Sequence, residues 1–461
     1  MEGLFNIKGR GSSAGAEIAS GLTSFLSASY LIFISSELLS GAGMSYPAVF
    51  IASCLASALG SFVMALLFNL PLTQTPGIGV SIFFAFTVCG RFGYTWPQAL
   101  TIAFISGVLC FVVSLTPLRS HIVSVMPTQI KKAAFAGVGL LTVLLGFAGA
   151  GMVSAASGTA ALLSLGSLTS GSALLALIGL VITAVLLTWE IKGALLIGVG
   201  VTTLIGVPLG VTVLEAPAAA NLTLGSFLFF DFGGLLSAGV VKLAVSVLTF
   251  TVICLLASFE PIAKRAEHRP AAEDAAEPGE IAEDASENVE TADSDADTAL
   301  DDGPGAFFES GEIALANAVA SSAAPMFGAA PLSVYQESFD DAKERGLTGL
   351  SSAAAAFLFL ALIPLAFFGK LIPPAAIAPA LILTGARMFK SVKDIDWTDF
   401  ETTLPCLLII AMIPFSHSIP HGVGLGLICF TFIKLLRGKA KEIPVSLYVL
   451  SLLFAALYIF T

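Results

Sequence analysis

The stretch Thr73–Phe86, "TQTPGIGVSIFFAF", sets Thr-Gln-Thr, a proline and two glycines among long apolar runs. Breakers and hydrogen-bonding side chains at membrane depth are tolerated only where protein buries them or a polar cavity hydrates them. The composition fixes that depth. Of 461 residues, 56% are hydrophobic and 11% charged, with a mean hydropathy of +0.93. A soluble chain carries about 25% charged residues, so this one is expected in a bilayer. Many of its runs approach the ~20 apolar residues that a span needs.

Working outward from Thr73–Phe86, apolar runs between polar turns predict spans near 16–40, 46–69, 73–90, 96–115, 128–150, 171–188 and 191–208. A second series follows near 238–262, 309–327, 330–342, 347–369, 373–391, 399–416 and 420–436. A last run, 444–460, reads as an extra span or a helix lying against the others. The third segment of the second series, "FGAAPLSVYQESF" (Phe327–Phe339), repeats the oddity of the first: an early proline, a small polar residue and a short helical tail. Interrupted segments at matching places in two halves point to a transporter's binding site. Seven is odd, so the halves run in opposite directions. The expected fold is an all-α polytopic membrane protein, a seven-plus-seven transmembrane inverted repeat whose two half-span extended segments face each other at the midplane.

Charge tests the threading. With the N-terminus inside, every Lys and Arg except Arg91, Lys242 and Lys370 falls on the cytoplasmic side, in keeping with the positive-inside rule. Met1–Gly15 is polar and Gly-rich and carries Lys8 and Arg10, so no cleavable signal peptide is expected. The net charge of −11 misleads, because Ala266–Gly305 holds 14 of the 32 acidic residues. That segment reads as a disordered cytoplasmic insert, without the spacing of a calcium loop. The cysteines (Cys54, Cys89, Cys110, Cys254, Cys406, Cys429) lack metal-ligand spacing and read as packing residues. No metal and no cofactor are expected.

"TQTPGIGVSIFFAFTVCGRFGYTWPQAL" and "DIDWTDFETTLPCLLIIAMIPFSHSIPHGVGLGL", with "GLTSFLSASYLIFISSELLSGAGM" in the first span, resemble the AzgA-like adenine/guanine/hypoxanthine permease branch of the nucleobase–cation symporters. The resemblance covers nearly the whole chain outside the insert. It implies a core domain (16–115, 238–265 and 306–369) and a gate domain (116–208 and 370–461). The cytoplasmic N-terminus (1–15) and the insert (266–305) lie outside both. The site motifs depart from the family pattern. "FEPIAK" puts Glu260 at the family's acidic position in span eight without its threonines, and Ser81 stands where the family has Asn. "GAAPLSVYQES" keeps Gly328, Tyr335, Glu337 and Ser338 but replaces hydroxyls with Ala329 and Pro331.

A carboxylate within a span is costly and by default marks function, which selects Glu260 and Glu337. Ser333 and Gln336 fit a capping box for a half-helix beginning near Val334, with Glu337 in its first turn. Glu260 also reads as a boundary residue beside Lys264 and Arg265. A nucleobase is planar, mostly neutral and rich in N–H donors, so a carboxylate, backbone groups and an aromatic face together could hold it. The expected substrate site is Glu260, Glu337, Ser81, Gly77, Gly79, Tyr335, Ser333, Phe83 and Phe259, with Phe84 a further stacking candidate. Glu260 and Glu337 are the expected proton-coupling groups. Glu37 is left unassigned, His121 and His268 read as solvated, and His417 and His421 as a membrane-edge turn.

The sequence has no GxxxxGK[ST] or HExxH, so neither ATP coupling nor an intramembrane enzyme is expected. The expected function is import of a purine base (adenine, guanine or hypoxanthine type) across the cytoplasmic membrane by proton symport with an elevator-like core movement. The alternative is an anion or dicarboxylate carrier on the same fold. Expected partners are the nucleobase-like substrate, a proton and the lipid bilayer. A homodimer is compatible with this reading, and no nucleic acid is expected.

Overall fold

The computed structural model describes residues 5–8, 12–116, 126–155, 163–212, 226–236, 239–267, 310–334, 348–439, 441 and 443–460. The acidic segment 268–309 and residues 335–347 lie outside them. Helix α1 (Ala14–Ala28) begins at Ser13, whose hydroxyl accepts from the Ala16 N–H at 3.3 Å, and α2 (Tyr30–Gly41) follows after Ser29. Helix α3 (Tyr46–Leu67) starts with Pro47 in its first turn, where the ring's missing N–H costs nothing. Strand β1 (Gln74–Pro76), the short α4 (Ile78–Ile82) and a π-helix (Phe83–Arg91) form the third segment. A Thr95–Gln98 capping box opens α5 (Trp96–Ser114).

Next come α6 (Thr128–Gly149), a small hairpin of β2 (Val153–Ala155) and β3 (Leu163–Leu165), α7 (Gly171–Thr188) and α8 (Ala194–Gly206). The second series begins with α9 (Val240–Glu267) and α10 (Ser310–Phe327), followed by β4 (Leu332–Val334). It continues with α11 (Gly349–Ala361) and a 3-10 turn (Ile363–Leu371). The chain ends with α12 (Pro374–Phe389), α13 (Phe400–Ser416), α14 (Ile419–Leu436) and α15 (Val445–Phe460). Seven of the described helical stretches are long and apolar enough to cross a membrane, and six shorter apolar helices accompany them.

Packing displays the repeat. Helix α3 packs on α11 while α5 packs on α10. These are the second and fourth segments of one half against the fourth and second of the other. The same exchange recurs with α7 on α12 and α13 on α6, and the equivalent pairs α6–α12 and β1–β4 meet each other directly. Such reciprocal pairing is what a two-fold relation between halves produces. The protein is an all-α polytopic membrane protein with a seven-plus-seven inverted repeat, plus α15.

The helices pack in two sets. One contains α1–α5 and α9–α11 with β1 and β4; the other contains α6–α8 and α12–α15. At one end of the second set, Asp399 caps α13 and the buried Glu401 meets Arg437 and, at 3.1 Å, Lys439. These pairs tie the start of α13 to the end of α14.

Candidate functional site: the crossing strands and their seam

The two interrupted segments meet. Strands β1 and β4 pair antiparallel, with Gln74 opposite Val334, Thr75 opposite Ser333 and Pro76 opposite Leu332. Three-residue strands satisfy part of each other's backbone inside the helical bundle, so breakers can sit at that depth. Gly77 is required there. A Cβ at Gly77 would collide with the Ser333 hydroxyl, so only a glycine lets the two chains approach this closely.

Side chains alternate across a strand, so Thr75 and Ser333 share one face of the ribbon, and Gln74, Leu332 and Val334 the other. The second face is shut against α3: an ideal Cβ on Gly60 would stand 2.7 Å from Leu332 Cδ1. Gly77, Gly79 and Ser333 retain partial exposure. An ideal Cβ on Gly79 would lie 3.6 Å from Val138 Cγ1 of α6. The crossing therefore abuts the seam between the two helix sets.

Ser81 is fully buried, with its Oγ 2.9 Å from that of Ser35 in α2. Phe83 and Phe84 are fully buried, and the Phe83 ring meets Phe250 of α9 edge-on at 4.6 Å. Phe83 is thus a core contact between the third and eighth segments. Phe259 and Glu260 belong to the later turns of α9. Ten residues separate Phe250 from Glu260, which at 1.5 Å per residue is about 15 Å along the axis. Tyr335 and Glu337 lie outside the described residues, as does the half-helix expected to begin near Val334. Of the expected site residues, the structure brings Gly77, Gly79, Ser81 and Ser333 together at the crossing.

Two groups there escaped the sequence reading. Ser35 and Phe250 are ordinary residues of apolar helices, and nothing in their local sequence singles them out. Thr249, beside Phe250, buries a hydroxyl that has no partner among the described residues. The helical tail after Gly77 also differs from expectation, because after one turn it becomes a π-helix, a form concentrated at functional sites.

That π-helix reaches across the seam. Thr87 Oγ1 donates to the His417 carbonyl at 3.4 Å, Arg91 Nη1 donates to the Ser416 carbonyl at 3.2 Å, and Phe86 lies against the His417 ring at 6.2 Å. His417 occupies the turn after α13 with a φ of 49°. His421 departs from the expected edge turn: it is buried in the first turn of α14, with Nδ1 2.6 Å from the Ser418 hydroxyl. At the start of α5, Gln98 donates to Asp231 at 3.0 Å, and this bond holds the Asp231 carboxyl below the usual carboxylate range.

Comparison with known proteins agrees with this architecture. Residues 15–271 match the family Xan_ur_permease, described as "Permease family". MJ0326 of Methanocaldococcus jannaschii is 32% identical over 467 residues, covering 100% of this chain and 98% of that protein. The guanine/hypoxanthine permease PbuO of Bacillus subtilis is 29% identical, covering 98% of each chain. The adenine permease AdeP of Escherichia coli is 28% identical, covering 100% of this chain and 96% of that one. Among solved structures, the transmembrane domain of the cyanobacterial bicarbonate transporter BicA superposes with a TM-score of 0.59 at 15% identity, covering 87% of this chain and 96% of that one. Its likeness is one of fold. A full-length match to named permeases, on an inverted repeat whose interrupted segments cross, leads to one assignment: this chain belongs to the permease family that includes the adenine, guanine and hypoxanthine permeases.

Proposed function

We propose that the protein imports a purine nucleobase across the cytoplasmic membrane by proton symport, with its N-terminus and acidic insert in the cytoplasm. The observation that carries this reading is the crossing itself. Gly77, Gly79 and Ser333 present backbone and hydroxyl groups at partial exposure where β1 and β4 meet, and the named relatives carry purines. The N–H groups opening the continuous helical run Ile78–Arg91 are donors for a carbonyl or ring nitrogen. Glu337, three residues after Val334, is the acceptor for the base's own N–H groups.

In this reading the set containing the crossing is the core and the other set is the gate, and the core slides along the seam as an elevator. Glu260, in the later turns of α9, is in this reading the group that exchanges the proton toward the cytoplasmic side. The test is a thermal-shift and direct-titration screen of the purified protein over purines, pyrimidines, nucleosides and small anions. Stabilisation by one or more purines is expected, with Glu337→Gln weakening that binding at least tenfold while Glu37→Gln leaves it unchanged. Stabilisation by bicarbonate or a dicarboxylate with no response to purines would replace this reading with that of an anion carrier.

A further inference from the structure

Behind the crossing, on the ribbon face turned from the seam, buried polar atoms lack partners among the described residues. Gln74 is fully buried, and neither Oε1 nor Nε2 of its amide has a hydrogen-bond partner among the described residues. The hydroxyls of Ser53 and Ser57, both fully buried, are in the same condition. Two contacts place Gln74 against α3, the helix that carries both serines. An ideal Cβ on Gly60 would stand 2.5 Å from Gln74 Oε1, and the Ser61 hydroxyl accepts from the Gln74 N–H at 3.2 Å. Ser53, Ser57, Gly60 and Ser61 recur at helical spacing, so they share the face of α3 that β1 covers.

A serine within a helix ordinarily returns its hydroxyl to a carbonyl one turn back, as Ser36 and Ser106 do here at 2.7 Å. Ser53 and Ser57 do not. Leaving a buried polar atom unsatisfied costs about 1–3 kcal/mol, so these four atoms, unpartnered among the described residues, call for a partner. The amide decides which. Its oxygen needs a donor and its NH2 needs an acceptor. A cation would serve the oxygens and repel the NH2; a lipid tail would serve neither. Water donates and accepts, and internal water binds by bridging two to four polar groups.

We propose that Gln74, Ser57 and Ser53 hold internal water between α3 and β1, a hydrated layer that fastens the crossing strands to the helix behind them. The absent side chain at Gly60 is what lets the Gln74 amide lie against α3. The test turns on a sign. If water bridges the amide, Gln74→Leu strips the water of its main partners and lowers the melting temperature of the purified protein by a few degrees, and Ser57→Ala lowers it too. If the amide is simply orphaned, the apolar leucine relieves a desolvated group and raises the melting temperature, which overturns the proposal. Melting in sodium chloride and in choline chloride at equal ionic strength should coincide. A sodium-specific rise that Gln74→Leu abolishes would assign a cation instead and overturn it as well. Should the variants fail to fold, a wild-type map that resolves waters decides. Density within hydrogen-bond reach of the Gln74 amide and Ser57 is expected, and direct protein partners with no density between would contradict the proposal.

Discussion

Gly77 concentrates the chemistry of the crossing in one missing side chain. A methyl at this position would meet both the Ser333 hydroxyl and, at 3.2 Å, its Cβ. Overpacking of this kind costs about 1–3 kcal/mol. Gly77→Ala is therefore expected to lower the thermal stability of the purified protein and to weaken purine binding more than tenfold. Adding Ser333→Ala to it removes the nearest atom and should recover part of the stability but not the lost hydroxyl contact. Calorimetry and binding on the two variants check this; a Gly77→Ala protein with wild-type binding would mean the strands have slack that the geometry does not show. Gly77 was legible in the sequence because a glycine after a proline, amid apolar runs, has few structural uses. Gln74 was not: its identity is visible, but whether its amide meets protein or water depends on the helix behind it. Glu260 shows the opposite limit. A carboxylate in an apolar run attracts attention by type, whereas its level along α9, about 15 Å beyond Phe250, emerges only once Phe250 is seen against Phe83.

At the scale of elements, span boundaries were legible because the bilayer imposes apolar runs of fixed length and the turns between them are polar. The expected 171–188 and 128–150 appear as Gly171–Thr188 and Thr128–Gly149. The π-helix was not legible, since a shift from i−4 to i−5 bonding carries no compositional mark. Its contacts make it testable. Thr87 and Arg91 bond the backbone of the turn after α13 across the seam, so sliding of the helix sets must break both bonds. With the native cysteines replaced, bridging Thr87→Cys to His417→Cys with a short bifunctional thiol reagent is expected to abolish uptake, and reduction of a cleavable bridge to restore it. Full uptake by the bridged protein would exclude motion at this seam.

A second element responds to pH. Asp231 accepts from Gln98 at 3.0 Å and from the Gly234 N–H at 3.1 Å, while its own N–H donates to Thr101. The bonds from Gln98 and Gly234 favour the carboxylate and depress its pKa. The anchoring is thus fully present at neutral pH and is lost as pH falls through the depressed value. Hydrogen exchange in the 226–236 loop should be slow at neutral pH and faster in acid, and Asp231→Asn should show the faster exchange at neutral pH. Protection that is the same for wild type and variant would contradict the anchoring role.

At the scale of the whole molecule, the two-fold relation between halves is what places one interrupted segment against the other. The sequence shows that both segments exist; the pairing of Gln74 with Val334 shows that they meet. In the proposed function this crossing serves a purine and a proton gradient drives its uptake. Purified protein in liposomes, given radiolabelled hypoxanthine, guanine or adenine with and without an inward proton gradient, tests it most directly. Accumulation above equilibrium is expected for at least one of the three, dependent on the gradient, abolished by a protonophore and indifferent to sodium, with Glu260→Gln retaining exchange but losing accumulation. Uptake that requires sodium and ignores the protonophore, or transport of bicarbonate with none of any purine, would contradict it.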